Sequence, residues 1–278
     1  IKDVPTDEIP SLTKAEDGGD FYVDTILGTY YLSLNDQKEP FNDVNVRKAL
    51  SLAIDRDYVA NTIMQGTYTP AYNIVGPGIV DENGMFYDNA NGGKTYISED
   101  YEANLEAAKQ ALADAGYPNG EGFPVIEYST NDAGYHTPVA EYLQQAWGEL
   151  GITVNINKVE WASFTPMRRA GDYDASRNGW VMDYNDPSNM LELFTTGNGN
   201  NDGKYSSADF DAAIEASKVA DKSVHFQKLH EAEDILMNDY ACIPVAYYND
   251  FWLQSPSLKG TWHSPYGYWY LQYGYVEE

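Results

Sequence analysis

The sequence predicts an α/β fold, and three observations carry the prediction. Short alternating apolar runs, read as strands, are separated by longer segments whose apolar residues recur at helical spacing. The helical segments are framed by Ser, Asn or Asp in front and Gly or Pro behind. No self-similarity appears at any period from 20 to 50 residues, which sets solenoids and propellers aside. A length of 278 residues gives room for one large domain or two small ones with ample core.

Residues 1–20 are polar and punctuated by proline, and read as a linker or crossing segment. Tyr30–Leu34 alternates like a strand, closed by Pro40. Asn42 or Asp43 caps a helix in which Val46, Ala49, Leu50, Ala53 and Ile54 share a face. Between Gly66 and Gly93 the density of Gly, Pro and Asn predicts a long ordered loop. Ser98 then caps a helix carrying Leu105, Ala108, Leu112 and Ala115, stopped by Gly116 and Pro118. Pro124–Ser129 follows as a strand. Pro138 falls in the first turn of a helix whose Val139, Leu143, Ala146, Trp147 and Leu150 line one side up to Gly151. Ile152, Val154 and Ile156 alternate as a strand, followed by a short helix near 162–170 and a strand near 173–180. Two helices over about 207–220 and 223–239 are capped by Ser207 and Ser223, and Ile243–Tyr248 is a last buried strand. The tail from 251 holds Trp252, Trp262, Trp269 and five tyrosines.

Composition excludes several function classes. Lys and Arg number 17 against 43 Asp and Glu, a net charge of -26, so nucleic acid and anionic membrane surfaces repel the chain at long range. No run of 18 apolar residues is present to span a bilayer. The single cysteine, Cys242, leaves no internal disulfide and no cysteine zinc cluster, and four scattered histidines leave little room for histidine metal motifs. With 24 tyrosines the composition fits an exported protein. The opening Ile1-Lys2-Asp3 reads as a processed leader or as a segment of a longer chain.

Only five arginines occur, and three of them (Arg168, Arg169 and Arg177) fall within ten residues. Arginine offers a planar fork that suits carboxylates. Asp183 stands six residues past Arg177, and Trp161 and Trp180 flank the group. A cation, an anion and aromatic walls would suit a zwitterion such as an amino acid or peptide. On spacing alone the competing reading is that Arg168 and Arg177 pair with Asp172 and Asp174 on a solvated face. Asp183, Asp186 and Glu192 could serve as acid/base carboxylates or hard-metal ligands, but the calcium-loop pattern with its closing Glu is missing. None of G-x-S-x-G, H-E-x-x-H, the P-loop or G-x-G-x-x-G is present. His136, near a helix start, reads as a capping or surface histidine sooner than a base.

The run GTYYLSLNDQKEPFNDVNVRKALSLAIDRDYV (28–59) resembles the signature stretch of bacterial extracytoplasmic oligopeptide-binding proteins, family 5 of the solute-binding proteins. GTYTPAYNIVGPG (66–78), ALADAGY (111–117), ELGITVNINKVEWASF (149–164), RNGWVMDYNDPSNML (177–191) and IPVAYYND (243–250) continue the likeness in order. The resemblance implies a two-lobed fold closing on ligand, of which this chain matches the C-terminal lobe. Residues 1–20 would cross from an N-terminal lobe, 21–250 would form the peptide-binding lobe, and 251–278 would return as an aromatic tail.

It further implies capture of oligopeptides outside the cytoplasm, as a cell-surface lipoprotein or in the periplasm, for delivery to the permease subunits of an ABC importer. No cofactor, metal or catalysis is implied. Carried over by position, Asp183 would pair with the peptide ammonium, and Arg177 would take its carboxylate. Arg168 would serve another peptide length, Trp161 and Trp180 would line side-chain pockets, and Tyr31 and Tyr248 would face the ligand. His136 matches a carboxylate-contacting histidine once one residue is deleted before Leu150. Gly28 and Val181 stand where some members carry a disulfide. Relatives on this fold carry dipeptides, nickel chelates, haem, opines or sugars, so another small solute is the alternative ligand. An acid-active hydrolase built on Asp183 and Asp186 is the enzyme alternative.

Overall fold

The structure is a computed structural model that describes residues 4–12 and 20–277. Half of the crossing segment expected over 1–20 therefore lies outside the described residues. Its described part includes a single helical turn, Ile9–Leu12, with Val4 and Ile9 buried.

Six strands form one mixed sheet: β1 (Phe21–Leu34), β2 (Thr69–Pro70), β3 (Ile126–Thr130), β4 (Val154–Lys158), β5 (Ala175–Val181) and β6 (Ile243–Leu253), in the order β2-β6-β1-β5-β3-β4. β3 runs parallel to both β4 and β5, while β1 is antiparallel to β5 and β6. Six main helices flank it: α1 (Val44–Leu52), α2 (Tyr101–Asp114), α3 (His136–Gly148), α4 (Trp161–Ala170), α5 (Ala208–Ser217) and α6 (Lys222–Asn238). The predicted α/β class is the observed one.

Local chemistry explains most boundaries. Asp43 starts α1 by accepting the Asn45 N–H at 2.8 Å, and Ser207 starts α5 by accepting from Phe210 at 3.3 Å. Two expected caps were misplaced. Asp100, not Ser98, caps α2 through the Ala103 N–H, and Asp221, not Ser223, caps α6. In each case the carboxylate lies two residues away from the expected hydroxyl. One core joins the layers, and Trp147 of α3 donates its indole N–H to the Leu50 carbonyl at 2.9 Å.

β1 is far longer than Tyr30–Leu34 because its first half pairs with the end of β6, Phe21 opposite Leu253 and Thr25 opposite Asn249. The tail folds on this ribbon as nested hairpins. Leu258–Lys259 pairs with Tyr275–Val276, and Trp262–His263 with Trp269–Tyr270. Trp269 packs edge-on against Trp252 at 4.5 Å, and His263 meets the Asp250 carboxylate at 2.7 Å.

Candidate functional site

The parallel strands β3 and β4 end side by side, at the loops leading into α3 and α4. Ligands of α/β sheets sit outside such carboxyl ends. Two clefts meet there and share Ala133. One, about 590 Å³, is lined by Tyr30, Met64, Tyr68, Tyr135, His136 and Phe251 among others. The other, about 760 Å³, lies between Asn131–Ala133 and Lys158–Trp161.

Arg177 lies beside them on β5, only 7% exposed. Its Nε donates to the Asn131 side-chain oxygen at 2.7 Å, and its guanidinium lies 5.2 Å from the Trp161 ring and 5.4 Å from the Phe164 ring. Among the described residues no carboxylate pairs with it, and its terminal N–H groups have no acceptor. Burying a charge without a counter-charge is costly, which makes this guanidinium a candidate anion site. The surface pairing weighed for it does not form, since Asp174 pairs with Lys38.

Around it stands an aromatic and imidazole shell. Tyr30 packs against His136 at 5.6 Å and Tyr248 at 6.2 Å. Burial, reinforced by the nearby Arg177 charge, pushes His136 down to about 3, so the ring is neutral and offers its nitrogens as a donor and an acceptor. Its Nδ1 is enclosed and has no partner among the described residues. Burial likewise raises the Tyr30 and Tyr248 hydroxyls above the usual phenol range and keeps them protonated.

A second cluster follows at the end of β5. Trp180 donates its indole N–H to the Asn189 side-chain oxygen at 2.9 Å, and the Asp183 backbone N–H donates to the same oxygen at 3.1 Å. The exposed Asp183 carboxylate has no hydrogen-bond or ion-pair partner among the described residues. By strand alternation Arg177 shares a sheet face with Tyr30, whereas Trp180 shares the opposite face with Tyr31. Arg177, Trp161, Trp180 and Asp183 therefore fall in two clusters, Arg177 with Trp161 of α4 on one side and Trp180 with Asp183 at the end of β5 on the other. Six extended residues span at most roughly 20 Å, which bounds the separation of Arg177 and Asp183.

Other expected residues are placed differently. Tyr31 is buried against Phe194 at 5.6 Å, on the sheet face opposite Arg177, and Tyr30, one position earlier, is on the Arg177 face. Arg168 is engaged by Asp202, with Nε 2.7 Å from the carboxylate, so its charge is already answered. Tyr248 does face the Arg177 cluster, lying over Gly179, where an added Cβ would come within 2.1 Å of its hydroxyl. Gly28 and Val181 are register partners, as the disulfide position implied. The Asp186 carboxylate is taken by the Ser188 N–H at 2.9 Å and by His225 at 2.9 Å, which removes it from a pair with Asp183. Asn131, Phe164 and Asn189 were missed, because neutral amides and a buried ring at loop and helix starts carry no signal in spacing. Among the described residues no metal-holding cluster exists and no helix is long and apolar enough to cross a membrane.

A buried arginine on β5 and an exposed carboxylate just past the end of that strand, beside clefts at the strand ends, make this the candidate ligand-binding face of an α/β domain. The chain belongs to the bacterial extracellular solute-binding proteins, family 5, whose model, described as the family 5 middle region, matches residues 1–202. It is 31% identical to the oligopeptide-binding protein OppA of Bacillus subtilis, over 93% of this chain and 46% of that one. With the periplasmic OppA of Salmonella typhimurium the identity is 34%, over 89% and 44%. The crystal structure of Haemophilus influenzae OppA in complex with a peptide superposes with a TM-score of 0.82 at 30% identity, covering 98% of this chain and 53% of that one. The chain spans about half the length of the curated relatives it matches. Heme-binding protein A of Haemophilus influenzae is similar too, at 33% identity over 87% of this chain and 43% of that one.

Proposed function

We propose that the chain is the C-terminal lobe of an extracytoplasmic oligopeptide receptor, which clamps a peptide against a second lobe and hands it to the permease of an ABC importer. In this reading Arg177 binds the ligand carboxylate, Asp183 binds the ammonium, and Trp161 and Trp180 flank side chains. The observation that carries it is the buried Arg177 lacking any carboxylate among the described residues, six residues before an Asp183 whose carboxylate has no partner among them. Ligand backbone and termini supply the constant features that a receptor for varied peptides can read, while roomy wet clefts take the side chains. Closure of two lobes around ligand completes the contacts. The names of relatives that bind oligopeptides support the peptide over another solute, and the engaged Asp186 disfavours the hydrolase.

The test is native mass spectrometry of the full-length protein followed by calorimetry with the peptide found. Arg177→Ala should weaken binding by at least tenfold and abolish the preference for a free carboxylate over an amide. An unchanged preference would overturn the reading.

A further inference from the structure

One buried amide stands behind both ligand-facing groups of the second cluster. Asn189 is nearly enclosed, and its side-chain oxygen accepts from the Trp180 indole at 2.9 Å and from the Asp183 backbone at 3.1 Å. A carbonyl oxygen has two lone pairs, so these two donors saturate it. The Asn189 backbone N–H in turn donates to the Asp186 carbonyl at 3.0 Å, which ties the amide into the loop it organises. The same loop is held from outside by Asn185, which accepts from the Val80 N–H at 2.8 Å and donates to the Gly78 carbonyl at 3.1 Å. Every one of these contacts leaves the Asp183 carboxylate itself free.

We propose that Asn189 is a positioning residue: it sets the Trp180 ring and Asp183 as one unit, so that a ligand ammonium and the side chain next to it are read together. The proposal rests on the reading of Asp183 as the ammonium partner. Its mechanism is geometric. Trp180 is the last-but-one residue of β5, the Met182 N–H makes a further bond to β1 at the Leu27 carbonyl (2.7 Å), and Asp183 lies just beyond that contact. Asn189 supplies the acceptor that the ladder no longer does. Hydrogen bonds to charged groups discriminate sharply only when donor and acceptor are held in place before the ligand arrives.

The test compares trialanine with N-acetyl-trialanine by calorimetry in the full-length protein. The natural protein should favour the free amine by roughly tenfold to a hundredfold. Asp183→Asn should remove that preference. Asn189→Leu should cut it to within about threefold while the melting temperature stays close to that of the natural protein, and Asn189→Asp, which keeps the oxygen acceptor, should restore it. If Asn189→Leu does not fold, Asn189→Ser takes its place, its hydroxyl being too short to reach both donors, with the same outcome required. A full preference in Asn189→Leu or Asn189→Ser alongside its loss in Asp183→Asn overturns this inference and leaves the ammonium reading intact. A full preference in Asp183→Asn overturns the ammonium reading and this inference with it.

Discussion

Arg47 and Arg56 lie inside the stretch that most resembles the family, yet both hold backbone and not ligand. Arg47 donates to the Asp239 and Phe41 carbonyls, and Arg56 to those of Pro244, Ser51 and Ile54. Arg56 needs no carboxylate because carbonyls satisfy its fork, and burial lowers it only to about 10. Arg177 differs because, among the described residues, one amide oxygen is its hydrogen-bond acceptor and two aromatic rings are its other partners. Replacing Arg177 by Lys should cost nearly as much peptide affinity as replacing it by Ala, since a point charge loses both the bidentate geometry and the stack on Trp161. Gly179 predicts a second effect. A methyl group there meets the Tyr248 hydroxyl at 2.1 Å and its ring carbon at 3.0 Å, so Gly179→Ala must drive Tyr248 out of the Arg177 shell. The expected cost is about 1–3 kcal/mol of stability together with weaker peptide binding. A variant with natural melting temperature and natural affinity would contradict this.

At the scale of elements, the loop from Met182 to Asn189 is pinned to α6 by His225, whose Nε2 meets Asp186 at 2.9 Å and whose Nδ1 meets the Ser217 carbonyl at 2.6 Å. Burial opposes charge on His225, but the Ser217 carbonyl and the Asp186 carboxylate outweigh it and raise the imidazole above 6.5. Burial also opposes charge on Asp186, where Ser188 and His225 prevail and hold the carboxyl below 3.8. The His225 contribution is thus complete below pH 6.5 and lost as pH rises through the raised value. The Asp186 contribution is present above 3.8 and lost as pH falls through the lowered one. The loop should be best protected between about pH 4 and 6.5. Hydrogen exchange should show protection factors for residues 183–189 falling above pH 7, and His225→Gln should abolish that dependence. Element identities were largely legible in the sequence, because apolar periodicity and prolines act locally: the helix led by Asp43 and the strand at Ile243 are examples. The ribbon of β1 with the end of β6 was not, since Phe21–Thr25 becomes strand only by pairing with residues more than 200 positions later. The proposed roles of Asp183, Arg177 and Tyr248 come from resemblance alone, and the sheet face that Tyr31 occupies depends on register, which a one-residue offset inverts.

For the whole molecule, two buried acids couple stability to pH. Burial pushes Glu233 from 4.5 up to about 8, although it accepts the Val75 N–H at 2.9 Å. Burial also raises Asp36 from 3.8 to about 8 against the pull of Arg47. In both cases the folded state holds protons that the unfolded chain has released, so stability is full below the unfolded value and declines as pH rises toward 8. Self-repulsion of a chain at -26 acts in the same direction. The melting temperature should fall steadily from pH 5 to 8.5, and Glu233→Gln should flatten the slope; a flat curve in the natural protein would contradict this.

The last expectation concerns the chain on its own. A single core runs from Val4 to Ala246, and Trp252, Trp269 and His263 fasten the tail to the domain, so the isolated chain should unfold in one cooperative transition. Trp262 is nevertheless 58% exposed and Tyr273 77%, an apolar rim that the second lobe would cover under the proposed function. Peptide binding should be weak. A pair between exposed Asp183 and an ammonium is worth only ~0–1 kcal/mol. Arg177 is shielded and worth more, yet even ~3 kcal/mol from a charged hydrogen bond falls short of the ~4–15 kcal/mol lost on immobilising a partner. Under the proposed function, contacts from a second lobe supply the remainder. Calorimetry of the isolated chain with tri- to pentapeptides should therefore detect no binding tighter than roughly millimolar, about -4 kcal/mol, and micromolar affinity would show that this lobe alone suffices.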